Sequence, residues 1–176
     1  MLPLSPVARK FVLHWGEMGS SWGINRSVAQ VHALLYASAE PLNAEDIAGA
    51  LEMARSNVST SLKELQSWGL IRIVHKLGDR RDHYESLGDV WELFRLIVEG
   101  RRRREVEPTI RLLRECVGEL EGGRGTDDTL RKRLASMLDF METTDGWYQQ
   151  MSRLPTAALI KMFKLGGKLQ KWLAGD

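Results

Sequence analysis

Between Asn43 and Glu85 the chain changes its hydrophobic period, and that change constrains the fold more than any other feature. Ala44, Ile47, Ala48 and Leu51 recur at helical steps, and after a four-residue break Val58, Leu62 and Leu65 do so again over Ser56 to Trp68. Asn43 is placed to cap the first of these helices, with the acidic Asp46 three positions on, and Gly69 stands where a left-handed residue ends the second. The period then shortens. Leu70-Ile71-Arg72-Ile73-Val74-His75-Lys76 is β-branched and roughly alternating, Gly78-Asp79 is a turn signal, and Asp82-His83-Tyr84-Glu85 can return as a partner strand.

More helices flank this segment. Val7, Phe11, Trp15 and Met18 form an apolar stripe from Pro6 to Ser20. Asn25 can cap a second helix that buries Val28, Val31, Leu34 and Leu35 and ends at Glu40-Pro41. Helix, helix, short helix, helix and hairpin is the order of a winged helix-turn-helix, whose second helix of the pair enters the major groove of DNA. From Asp89 to Leu120 the pattern is helical and long, and Pro108 predicts a kink or restart because proline removes an amide donor and crowds the preceding turn. Glu121-Gly122-Gly123-Arg124-Gly125 reads as a loop. Thr126 or Asp127 can cap a helix carrying Leu130, Leu134, Leu138 and Met141, and Pro155 can open a last one with Leu159, Met162 and Phe163. The expected fold class is mainly α with a small β-hairpin wing: a winged helix-turn-helix over residues 1–88 and a helical dimerisation and effector region over 89–176. Residues 5–20 are expected to join the dimer interface.

Composition removes several classes. No run of about 18 apolar residues is present to span a bilayer, and the first residues lack the charged and apolar regions of a signal peptide, so a cytoplasmic protein without membrane attachment is expected. Cys116 is the single cysteine and the four histidines are scattered, so no disulfide, metal site or cofactor is expected. No nucleophile with a base, carboxylate pair or metal triad stands at a telling spacing, which argues against an enzyme. The net charge is only +2, and residues 1–88 hold nine Lys/Arg against nine Asp/Glu, so a DNA-binding surface has to be basic locally.

With Val58, Leu62 and Leu65 turned inward, the other face of the second helix presents Arg55, Ser56, Asn57, Ser59, Thr60 and Lys63. These are short hydrogen-bonding groups beside two cations at a helix N-terminus, where the backbone amides also favour phosphate. Short side chains let a helix lie close to base edges. The same cluster on an isolated helix would serve only as caps; the preceding helix and following hairpin make it a candidate reader of double-stranded DNA. At the hairpin tip a glycine turn lifts Arg80 and Arg81 outward, within reach of a minor groove, and Asp79 can hold the Arg81 side chain in one direction. A solvated, salt-bridged loop is the plain alternative for that tip. A winged helix reused as a protein-interaction module without DNA binding is the alternative for the whole, although such a surface should be more apolar than this one.

Leu65-Gln66-Ser67-Trp68-Gly69-Leu70-Ile71 resembles the end of a MarR recognition helix, and Gly78-Asp79-Arg80-Arg81 resembles that family's aspartate-x-arginine wing. More narrowly, Trp22 to Leu35, Glu40-Pro41-Leu42 and Arg55-Ser56-Asn57-Val58-Ser59 are similar to the GbsR branch of MarR-type regulators. The resemblance implies a homodimer that binds a palindromic operator, in some relatives in response to choline-like, quaternary ammonium osmolytes. It places the recognition contacts on Arg55, Ser56, Asn57, Ser59, Thr60 and Lys63, and the minor-groove arginine on Arg81. Ala54 departs from the pattern, standing where many MarR proteins have a capping Ser or Thr. That loss costs about 1 kcal/mol unless Ser56 substitutes.

Three further features stand out. Trp15, Trp22, Trp147 and Tyr148 could surround a quaternary ammonium by cation–π attraction, while tryptophans at helical spacing also serve as core or dimer packing. Arg101-Arg102-Arg103-Arg104, with Glu99, Glu105 and Glu107 nearby, reads as a solvated helix face with ion pairs such as Arg101 with Glu105. Lys161, Lys164, Lys168 and Lys171 beside Leu165, Leu169 and Trp172 form a basic amphipathic stripe suited to a partner helix.

Overall fold

The computed structural model describes residues 4–122 and 128–173, which form eight α-helices, one π-helical turn and a three-stranded antiparallel sheet. In order these are α1 (Pro6–Ser21), α2 (Arg26–Ala37), β1 (Leu42–Asn43), α3 (Ala44–Leu51), α4 (Arg55–Ser67), β2 (Ile71–Val74) and β3 (His83–Ser86). There follow α5 (Val90–Arg101), the π-helical turn (Arg102–Val106), α6 (Glu107–Gly122), α7 (Asp128–Ser152) and α8 (Thr156–Leu173). Gly123, Arg124, Gly125, Thr126 and Asp127, read as loop and cap, lie outside the described residues, as do the side chains of Lys168, Leu169, Lys171 and Trp172. Two compact units meet within α5, Met1–Leu96 and Ile97–Asp176.

In the first unit α2 is the central helix, with Val28, Ala29, Val31, His32, Ala33, Leu34 and Leu35 all buried. Asn25 caps it through its side-chain oxygen, which accepts from the Ser27 amide at 2.8 Å. The α1 helix meets α2 through small residues. Its buried positions are Val12, Gly16 and Gly19, whereas Phe11, Trp15 and Met18 are half-buried and Val7 is 79% exposed. Two glycines on one face let the helix backbones approach: a Cβ at Gly16 would stand 2.6 Å from Gln30 Cγ, and one at Gly19 2.5 Å from the Ala29 Cβ. Close helix packing therefore buries the glycine face most deeply, while the larger apolar side chains are only partly covered.

Local chemistry sets the ends of the reading pair. The Asn43 side-chain oxygen accepts from the amides of Glu45 (2.9 Å) and Asp46 (3.0 Å), and its side-chain amide donates to the Asp46 carboxylate at 2.6 Å. Glu52 ends α3 at φ 54°, a left-handed conformation usually given to glycine. Ala54 starts α4 with no side-chain cap hydrogen bond, so neither it nor Ser56 supplies the missing cap. At the other end Gly69 has φ 70°, its amide donates to Gln66 O (2.9 Å), and the Leu70 amide donates to Leu65 O (3.0 Å). This is a Schellman closure, and Leu65 and Leu70 bury together beside it.

The sheet has the order β1-β3-β2, with β3 paired to β1 (Leu42↔Tyr84, Asn43↔His83) and to β2 (Ile71↔Ser86 through Val74↔His83). The expected hairpin thus has a third strand. A two-residue strand between Pro41 and a helix cap carries no periodicity to announce it. It matters because it seats the wing: Lys76 Nζ, at the base of the turn, donates to Pro41 O at 3.2 Å.

In the second unit the restart expected at Pro108 takes the form of the π-helical turn directly before it. Proline cannot donate to Arg104 O and its ring crowds that carbonyl, so the helix widens for one turn and resumes as α6. The arginine run divides there. Arg101 pairs with Glu105 at 3.4 Å as expected, but Arg102 is no solvated residue: its side chain is 16% exposed and contacts Glu99 (3.0 Å), Glu107 (2.6 Å) and Asp145 (3.1 Å). Hydrogen bonding to Glu99, set against the cost of burial, and then to Asp145 raises its pKa further above the ordinary arginine value. Ile110 and Leu113 are buried, while Leu130, Met137, Phe140 and Trp147 of α7 are exposed.

Candidate nucleic-acid interface

The recognition face follows from which side of α4 is buried. Val58, Ser61, Leu62 and Leu65 are buried, and Arg55, Ser56, Asn57, Ser59, Thr60 and Lys63 are all exposed. Steps of three and four put the buried four on one side of a 3.6-residue period, so the polar six share the opposite side. That surface carries hydroxyl and amide groups short enough to approach base edges, flanked by cations at its start and middle. The first α4 amides lack a side-chain cap, which leaves them able to meet a phosphate oxygen.

The wing is organised by carboxylates. Gly78 has φ 83° and turns the chain, and the Asp79 amide donates to Lys76 O at 3.1 Å. Arg81 is then held side-on by Asp79. Its Nε donates to Oδ1 at 2.9 Å, its Nη2 to Oδ2 at 2.6 Å, and its backbone amide to Oδ1 at 3.0 Å. Hydrogen bonds from the Arg81 side chain, then from its amide, hold the Asp79 carboxyl well below the usual carboxylate range. Beneath this pair the buried His83 places Nδ1 3.0 Å from Arg81 O and Nε2 3.5 Å from Asp79 Oδ2.

The structure adds a residue that sequence reading missed. Glu45, in the first turn of α3, accepts from Arg81 Nη1 at 3.1 Å through one oxygen and lies 2.8 Å from Arg55 Nη2 through the other. One carboxylate therefore joins the short helix, the start of the reading helix and the wing. No spacing in the sequence announces that residues 45, 55 and 81 converge. Arg80 is exposed at the tip and Lys63 on α4, each without an ion pair among the described residues.

The MarR family profile matches residues 22–82, the segment from the end of α1 to the second wing strand. Over those residues the chain is similar to the MarR family. The HTH-type transcriptional repressor GbsR of Bacillus subtilis (strain 168) is 21% identical over 136 residues, covering 76% of this chain and 75% of the repressor. A crystal structure of a transcriptional regulator superposes with a TM-score of 0.54 at 23% identity, over 82% of this chain and 99% of that one, and shares the fold. MepR, a transcription regulator of the Staphylococcus aureus multidrug efflux pump MepA, is 17% identical with a TM-score of 0.39, over 95% of this chain and 93% of its own. These similarities support a DNA-binding transcriptional regulator.

The aromatic residues expected around a ligand are distributed over both units. Trp15 packs on Phe11 with ring centroids 5.4 Å apart, and Trp22 is 58% exposed where α1 ends. Trp147 and Tyr148 lie on α7, with Trp147 61% exposed. In the second unit a cleft of about 400 Å³ lies between α6 and α7, walled mainly by Arg102, Glu107, Arg111, Glu142, Asp145 and Gln149. Cations and carboxylates face each other across it, and Arg114 pairs with Glu142 at 2.6 Å. Among the described residues no helix is long and apolar enough to cross a membrane.

Proposed function

We propose that this chain is a sequence-specific transcriptional regulator that reads a palindromic operator as a homodimer, with α4 in the major groove and the wing arginines against the adjacent minor groove. The observation that carries the reading is the placement of Arg55, Ser56, Asn57, Ser59, Thr60 and Lys63 on one exposed face, opposite the buried side of α4. Phosphate contacts supply affinity, and groups at base edges supply discrimination. A dimer is favoured because one recognition helix covers too short a site for useful affinity. Each unit leaves apolar side chains facing solvent, Val7 and Leu13 on α1, and Met137, Phe140 and Trp147 on α7, as an obligate partner surface would. Such a regulator works beside the chromosome, in the cytoplasm of a bacterium.

Selection of bound fragments from genomic DNA at a fixed salt concentration tests this. Enrichment of a motif with two-fold symmetry is the expected result; affinity for every selected duplex equal to that for random DNA overturns it. An effector of the quaternary ammonium class is the finer part of the proposal and rests on the resemblance to GbsR-type regulators. Choline should change tryptophan fluorescence and duplex affinity together, and silence in both at millimolar choline removes the effector.

A further inference from the structure

Accepting the DNA-binding reading, we propose that Glu45 is a selectivity-determining residue, whose carboxylate competes with DNA phosphates for Arg55 and Arg81. Its two oxygens lie 2.8 Å from Arg55 Nη2 and 3.1 Å from Arg81 Nη1. Asp79 already occupies the Nε and Nη2 side of Arg81, so the second carboxylate leaves that guanidinium surrounded by negative charge. The three side chains paired through Glu45 remain about half or more exposed to water, at 71% for Arg55, 54% for Arg81 and 46% for Glu45. Exposed pairs of this kind add little to folding stability, so holding the fold together does not account for the arrangement. Two cations at the centre of the DNA face are nevertheless pre-neutralised.

The consequence falls unevenly on the two kinds of DNA contact. Random duplex is held almost wholly by phosphate neutralisation and counterion release, so each cation that must first leave a carboxylate weakens it. The groups proposed for base edges, Asn57, Ser59 and Thr60, have no bond to Glu45. Random DNA is thereby disfavoured more than the operator, while Arg80 and Lys63 remain available for encounter.

The test compares wild type, Glu45→Gln and Glu17→Gln on a mixed-sequence 30-bp duplex (about three helical turns) and on the duplex enriched from genomic DNA. Glu17 pairs with Arg26 at 3.8 Å and with none of the side chains proposed to contact DNA, so its variant makes the same charge change without freeing Arg55 or Arg81; sedimentation establishes that both variants keep the wild-type mass. For Glu45→Gln, random-duplex affinity should rise, with a salt slope steeper by about two ions, so its advantage over wild type should shrink ~10-fold between about 50 and 200 mM salt. Its preference for the enriched duplex should fall, and Glu17→Gln should stay near wild type. Circular dichroism establishes that the variants fold. If Glu45→Gln leaves the random-duplex slope and the preference at wild-type values, or only matches Glu17→Gln, the inference is wrong while DNA binding stands. If wild type binds neither duplex, the DNA-binding reading fails and this inference with it.

Discussion

Lowering the pH from 7.5 to 5 should destabilise the winged-helix unit through one buried histidine. His32 lies within α2, is 6% exposed, and places Nε2 3.3 Å from Ser86 Oγ at the end of β3. Burial lowers its pKa from 6.5 to about 4, because the charged ring would lose its water inside the core. Between those values the unfolded chain binds the proton and the folded chain does not, so stability is complete above 6.5 and declines as pH falls toward 4. At pH 5 the unfolded ring is almost fully charged and the folded ring about one-tenth charged, which corresponds to a loss of about 2 kcal/mol relative to pH 7.5. Urea unfolding of wild type and His32→Gln across this range, followed by circular dichroism, measures it. The variant is less stable at pH 7.5 through its imperfect fit but should lack most of the acid-dependent decline. Equal slopes in the two proteins would refute the argument, since another group would then carry the proton uptake.

Other consequences can be measured on the same preparations. Asn57→Ala and Thr60→Ala should each weaken the enriched duplex by ~1–3 kcal/mol and leave random DNA almost unchanged in anisotropy titrations; two silent variants would dismiss α4 as the reader. Gly19→Ala brings a methyl group within 2.5 Å of the Ala29 Cβ and should destabilise the unit by about 1–3 kcal/mol in thermal unfolding, whereas an unchanged midpoint would mean that α1 shifts freely. Val7→Glu puts a charge on the exposed end of the apolar stripe of α1 and should move the sedimentation mass from dimer toward monomer at micromolar concentration; no shift excludes that end of the stripe from the interface.

How far the sequence could be read depended on whether a signal was local. The Gly69 helix end, the Asn25 and Asn43 caps and the polar side of α4 are set by interactions within a few residues, and periodicity or capping chemistry exposes them directly. The grip of Asp79 on Arg81 is local in the same way, across two residues of one turn. The turn between α3 and α4 was legible from the break in helical period after Leu51, although a glutamate, Glu52, takes the left-handed position where a glycine would have marked it.

What failed, or stayed hidden, was decided by contacts between distant segments. The stripe of Val7, Phe11, Trp15 and Met18 marks α1 as amphipathic but does not say what it packs on; helix packing selects for fit as well as size, and the glycine face of Gly16 and Gly19 is the one that meets α2. The strand β1 exists because β3 offers it a partner. Arg102 lies in a run that looks solvated, but the position of α7 brings Asp145 to it and makes it an internal ion-pair centre. Glu45 shows the same division at the proposed DNA-binding face. The sequence by itself determined which residues were short, polar and exposed on α4, because helical periodicity is a property of the chain. Only the tertiary structure brought residue 45 between residues 55 and 81, because a carboxylate bridging three elements is a property of their packing.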